Sequence, residues 1–176
     1  VDFDLDADQR AVVEAVEQLL ERHAGPARAR SLAAKQAYDA ELDAALAEAG
    51  FDAIALGEET GALEAVLVVE KVAAWAGGAA VAATTLVAPL VTGRMLPGPV
   101  VLCRGDESGP VRFAPAARSL LVLEPDDARV GTLRAGEVAA VASNFGYPMG
   151  RIAEAARRRG ASLGAAGAER LRAWWR

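Results

Sequence analysis

Apolar residues recur three and four positions apart through the first half of the chain, and in short runs broken by turn residues through the second. Val12, Val13, Val16, Leu19 and Leu20 make one helical stripe. Asp6 stands ahead of it with Gln9 three positions on, an aspartate version of the reciprocal capping box. The stripe ends at Gly25-Pro26, and a short helical segment around Arg28 to Lys35 follows. Asp39 then caps a helix carrying Leu42, Ala45, Leu46 and Ala49, which Gly50 ends. The stretch FDAIALGEETGA reads as a loop whose Phe51, Ile54 and Leu56 turn inward. Two helices complete the half, Leu63 to Ala76 and the charge-free Ala79 to Val91, broken apart at Gly77-Gly78.

At Pro97-Gly98-Pro99 the pattern changes, because these residues cannot occupy a helix interior. Beyond them VVLCR, SLLVLE, ARVGTL and EVAAVA read as four short strands separated by turns such as GDESGP and EPDDA. The segment RIAEAARRRGASLG reads as a polar, basic connection, and AAGAERLRAWWR as the opening of a further helix. The fold class is therefore α+β: an N-terminal all-α helical domain over 1–96, a small antiparallel β domain over 97–150, and a linker with the start of a C-terminal helix over 151–176.

Composition narrows the function. Of 176 residues, 53% are hydrophobic and 24% charged, as in an ordinary globular protein. Net charge is −5, so no basic field exists to hold nucleic acid or an anionic membrane. Val72 to Gly93 carries no charge, yet it is alanine-rich and broken by glycine and proline, so it reads as buried helix rather than a membrane span. The N-terminal stretch has neither a basic nor an apolar leader region, which predicts a cytoplasmic protein. Cys103 sits alone in a strand pattern and reads as a buried, inert thiol.

Familiar catalytic signatures are missing: no glycine-rich phosphate loop, no paired histidines at metal-ligand spacing, no nucleophile elbow. His23 falls in the last turn of the first helix, where an imidazole favours the helix end. Glu58-Glu59 reads as a solvated pair in a glycine-flanked loop, and Arg157-Arg158-Arg159 as a hydrated run with a minority reading as a phosphate cradle. SNFGYPMG, Ser143 to Gly150, stands apart by gathering Phe145 and Tyr147 in a chain that is only 5% aromatic. Gly146 permits an unusual backbone angle there, and Pro148 restricts Tyr147. The turn reads first as a hydrophobic clasp, with Phe145 and Tyr147 burying their rings between the sheet and the next helix; the second reading has Phe145 and Tyr147 facing a substrate or partner.

The order VDFDLDADQRAVVEAVEQLLERHA, ELDAALAEAGFDAIALGEETGA and AVLVVEKVAAWAGGAAVAATTLVAPLV resembles the N-terminal helical domain of acyl-CoA dehydrogenases. In that family an acidic DF-L-x-x-x-Q start leads the first helix, an L-x-x-L-x-x-x-G helix leads to a Pro-Glu-Glu-Tyr-Gly-Gly loop, and a Glu-Glu-Leu helix precedes an alanine- and leucine-rich one. The resemblance implies a helical domain, a central β domain and a C-terminal four-helix bundle holding FAD between subunits. It implies α,β-desaturation of an acyl-CoA thioester in lipid metabolism, a carboxylate taking the α-proton and the flavin the β-hydride, in a homo- or hetero-oligomer. The departures are specific. Gly57 stands where proline is usual and Thr60 where an aromatic is usual. The Thr-Glu-Pro strand end and the Trp-Ile-x-Asn segment that would line the flavin are missing, and the β region is short. No catalytic base, flavin ligand or metal ligand is thereby assigned to a numbered position. Two readings remain: part of a larger dehydrogenase chain or complex, supported by the adjacent indoles of Trp174-Trp175, or a non-catalytic, cofactor-free partner subunit, supported by the shortened β region.

Overall fold

The computed structural model describes residues 4–174. Its first half is helical: α1 (Ala7–His23), α2 (Pro26–Lys35), α3 (Ala40–Glu48), α4 (Ala62–Ala74) and α5 (Ala88–Thr92), the last continuing a π-helical stretch over Ala82–Val87. Asp6 accepts from the Gln9 N–H at 2.8 Å while the Gln9 side chain accepts from the Asp6 N–H at 3.1 Å, so the capping box of α1 is complete. Gly25, at φ 109°, turns the chain into Pro26 at the first turn of α2, where the missing N–H costs nothing. Val16, Leu19 and Leu20 of α1 meet Leu42 and Leu46 of α3 and Val68 and Val72 of α4 in one buried cluster. Phe51 and Ile54 join it, but Leu56 does not and stands 40% exposed. A single 3-10 turn, Ile54–Leu56, directs its successive side chains to different sides, so Ile54 and Ala55 point inward and Leu56 outward.

The break at Gly77-Gly78 is a packing requirement. A Cβ at Gly77 would stand 2.5 Å from Val72 Cγ1 and 2.9 Å from Leu42 Cδ2. The following helix from Val81 buries Thr84 through Pro89, and among the described residues no helix is long and apolar enough to cross a membrane.

All four strands read from the sequence form: β1 (Val100–Arg104), β3 (Ser119–Leu123), β4 (Ala128–Thr132) and β5 (Val138–Val141). Three others are added, β2 (Val111–Arg112), β6 (Met149–Ile152) and β7 (Ala161–Ser162). One sheet runs β1-β3-β4-β7 and the other β2-β6-β5. Every pair is antiparallel except β1 with β3, which is parallel. The chain between them crosses to the second sheet through β2, and such an excursion is what a parallel pair needs. β3 is buried along its whole length: Leu120 and Val122 face the second sheet, with Val101 and Cys103 of β1 beside them. Its other face, Leu121 and Leu123, packs with Val87 and Val91 on one side and with Ala168 and Leu171 of α7 (Gly164–Ala173) on the other.

The segment expected to be a plain polar connection carries α6 (Glu154–Arg158) and β7. Its arginines are not simply hydrated. Arg157 donates to the carbonyls of Gly105 and Glu107, tying down the turn after β1. Arg159 grips both oxygens of Glu137 at 2.7 Å, and Arg158 pairs with Glu154 one helical turn back. The further helix expected at the end is α7; of the indole pair, Trp174 is 41% exposed and Trp175 lies outside the described residues.

Candidate functional site

Helices and sheets meet along a cleft of about 850 Å³. Its helical wall comes from Leu32 and Ala33 of α2, the Gly77-Gly78 junction, and Ala83 and Leu86 of the π-helix; its sheet wall comes from Val101, Val111 and Phe113. The extra residue per turn in a π-helix is a local distortion that recurs at functional sites. Here it is anchored to the sheet, because the Val100 N–H donates to Thr84 Oγ1 at 3.0 Å.

The aromatic turn forms the rim. Phe145 and Tyr147 stack nearly parallel, centroids 5.7 Å apart, and Tyr147 leans on Phe113 at 6.0 Å. Phe113 in turn meets Tyr38 edge-on at 5.4 Å. The Arg112 guanidinium lies over both Phe113, at 4.4 Å, and Tyr147, at 4.2 Å. Four rings thus run from the interior to the surface with one cation set against two of them. The clasp reading fails for Phe145, which is 73% exposed and stacks on its neighbour instead of entering the core. Tyr147 is half-buried against the second sheet.

Two contacts hold the turn. Gln36, the left-handed residue closing α2, donates from Nε2 to the Ser143 carbonyl at 2.8 Å and accepts from the Ser143 N–H at 3.0 Å. Gly146, at φ 73°, lies so close to α2 that a Cβ there would stand 2.7 Å from the Ala33 Cβ. Below the cleft, Asp39 is fully buried, caps Leu42 and takes a two-pronged contact from Arg28 at 2.6 and 2.9 Å. That hydrogen bonding raises the Arg28 pKa still further. Nearby, Tyr38 accepts from the Ala80 N–H at 3.2 Å, and burial pushes both its phenol and the neighbouring Asp43 carboxyl above their ordinary values.

The other residues singled out from the sequence lie away from the cleft. Cys103 is buried in β1, and burial pushes its thiol up to about 11, so it is inert at neutral pH. Glu58 and Glu59 are exposed. His23 Nδ1 lies 3.4 Å from Glu41 at the end of α1. No group of His, Cys, Asp and Glu among the described residues could hold a metal ion.

Among the described residues lining the cleft, Arg112 is the one with a charged side chain; Tyr147 and Trp174 supply the other polar side-chain groups. No carboxylate or imidazole lines it among the described residues. Nor does this donor set fit a flavin dinucleotide, whose diphosphate and ring edges call for several converging donors. Arg112, Phe113 and Gln36 carry no mark in the sequence. Nothing local identifies them, because the site arises from β2 pairing with β6 and from a contact between positions 36 and 143.

The family model for the acyl-CoA dehydrogenase N-terminal domain matches residues 6–95, from the cap of α1 to just past α5. A chain in the crystal structure of the ChsE4-ChsE5 complex from Mycobacterium tuberculosis is similar over 94% of this chain and 57% of its own length, with a TM-score of 0.63 and 20% identity. That similarity is one of fold, and this chain spans a little over half the length of that one. No curated protein matches.

Proposed function

This chain belongs to the acyl-CoA dehydrogenase family, and on that premise we propose that it acts as part of a larger chain or complex that desaturates an acyl-CoA thioester at its α,β bond. The observation that carries this reading is the cleft, long-walled in alanine, valine and leucine, between the family's helical domain and the adjoining sheets. An acyl chain gains from leaving water along such walls at roughly 25 cal/mol per Å² of apolar surface. Phe145 and Tyr147 stand at its rim, where they meet substrate or partner. FAD, the family's electron acceptor, would take up the hydride; since the cleft residues do not fit it, we assign the flavin contacts and the proton-abstracting carboxylate to the remainder of a homo- or hetero-oligomeric assembly. We place that assembly in the cytoplasm.

A second reading, a cofactor-free partner subunit that completes another dehydrogenase without touching substrate, is favoured by the same lack of a carboxylate in the cleft. One reconstitution separates the two. The purified chain alone should show no flavin absorbance and no desaturation with an artificial electron acceptor. Mixed with dehydrogenase subunits it should co-elute and support activity, and Leu86→Trp, which fills the cleft, should raise KM for acyl-CoA. Unchanged KM in an assembled complex supports the non-catalytic subunit. Stoichiometric FAD and full activity in the isolated chain would overturn both.

A further inference from the structure

We propose that Arg112 is an anion anchor, so that the cleft takes an amphipathic anion: an apolar body along the helical wall and a carboxylate or phosphate at the rim. This rests on the cleft being a ligand site, as the preceding section reads it, and adds the chemistry of the group that enters last. Arg112 is exposed on β2, and no carboxylate pairs with it among the described residues. Other arginines, such as Arg28, Arg129 and Arg159, are held by carboxylates; what singles out Arg112 is that it lines the cleft and sits against two rings. Its guanidinium is nevertheless held in place, because its central carbon sits against two rings, 4.4 Å from the Phe113 centroid and 4.2 Å from that of Tyr147. A planar fork held by aromatic faces keeps its N–H edge for a two-oxygen acceptor and loses little freedom on binding one. The chain carries a net charge of −5, yet the one charged side chain among the described residues lining the cleft is a cation.

The anionic group could stand on either end of an acyl thioester: a phosphate on the carrier, or a carboxylate at the far end of the acyl chain. Dodecyl phosphate, dodecanoate and 1-dodecanol share one apolar body and separate these cases. Binding is followed by calorimetry and by the fluorescence of Trp174, which lines the cleft. The wild-type chain should bind at least one of the two anions about tenfold or more tightly than the alcohol. Arg112→Gln should remove that preference while keeping alcohol binding, and Arg112→Lys, which keeps charge but not the planar fork, should retain only part of it. Tighter binding of the phosphate points to the carrier; tighter binding of the carboxylate points to a doubly acidic acyl group. Unchanged circular dichroism checks that the variants fold. An anion preference that survives Arg112→Gln, or wild-type protein that binds alcohol and anions alike, overturns the Arg112 assignment and leaves the apolar cleft standing. If none of the three amphiphiles binds, the cleft reading itself falls, and this inference with it.

Discussion

The side-chain amide of Gln36 pairs with the backbone of Ser143 as a neighbouring strand would, giving one hydrogen bond and taking one. Through it the C-terminal end of α2 fixes the turn that carries Phe145 and Tyr147. Ser143 is itself buried, so its N–H and C=O have little access to water. Gln36→Ala should therefore cost about 1–3 kcal/mol in chemical denaturation, because both groups lose their partner. Amide exchange at Ser143 and Phe145 should speed up more than at β3. Gln36→Gly tests the same pair with the left-handed backbone relieved: it should be more stable than Gln36→Ala while showing the same fast exchange.

Gly146 makes the second contact with α2. Gly146→Ala places a side chain in a positive-φ conformation and drives a Cβ against Ala33, so it should lower stability by at least about 1 kcal/mol. Adding Ala33→Gly should recover only the part due to the contact, since the backbone angle remains unfavourable. Full recovery in the double variant would show that crowding against α2 was the whole effect.

Acid stability should report the Arg159–Glu137 pair. Its hydrogen bonds, with the Arg134 N–H as a further donor, hold the Glu137 carboxyl down to about 2. A depressed folded-state pKa means the unfolded chain takes up the proton first. The pair's contribution is therefore fully present above the ordinary glutamate value near 4.3 and is lost as pH falls toward about 2. Glu137→Gln should flatten the pH dependence of urea midpoints over that window and leave its shape above pH 6 unchanged.

Much of the fold is legible because its signals are local. Asp6 with Gln9 and Asp39 ahead of Leu42 are caps that the sequence displays within four residues, and VVLCR and SLLVLE are apolar enough to demand burial. β2, β6 and β7 are illegible for the opposite reason. They are two to four residues long, too short to show an alternating apolar pattern, and are strands only because a partner strand is already there. The same holds for the site. Phe145 and Tyr147 stand out by composition, but whether an aromatic faces inward or outward is decided by what α2 brings to the turn. Arg112 carries no mark, since its setting depends on Phe113, just after β2, and Tyr147, in the turn before β6, converging on it. The arginine run misled in a related way: charge along the chain suggests hydration, whereas Glu137 and the carbonyls of Gly105 and Glu107 reach those residues only through the fold.

Phe113 lies in the buried part of one row of rings and Phe145 at its exposed end, and their truncation should separate support from recognition. Phe113 is 6% exposed, touches Tyr38 and Tyr147 and carries Arg112 on its face. Phe113→Ala should cost roughly 3–5 kcal/mol, the usual range for deleting a buried phenyl ring, and should release Arg112 as well. Phe145, 73% exposed, removes little apolar surface from water in the isolated chain. Phe145→Ala should therefore stay within about 0.5 kcal/mol of wild type by urea denaturation. Its effect belongs elsewhere: weaker binding of an amphiphile in the cleft, or weaker association with dehydrogenase subunits in sedimentation. A large drop in stability for Phe145→Ala with binding and association intact would return the turn to the role of a clasp between sheet and helix.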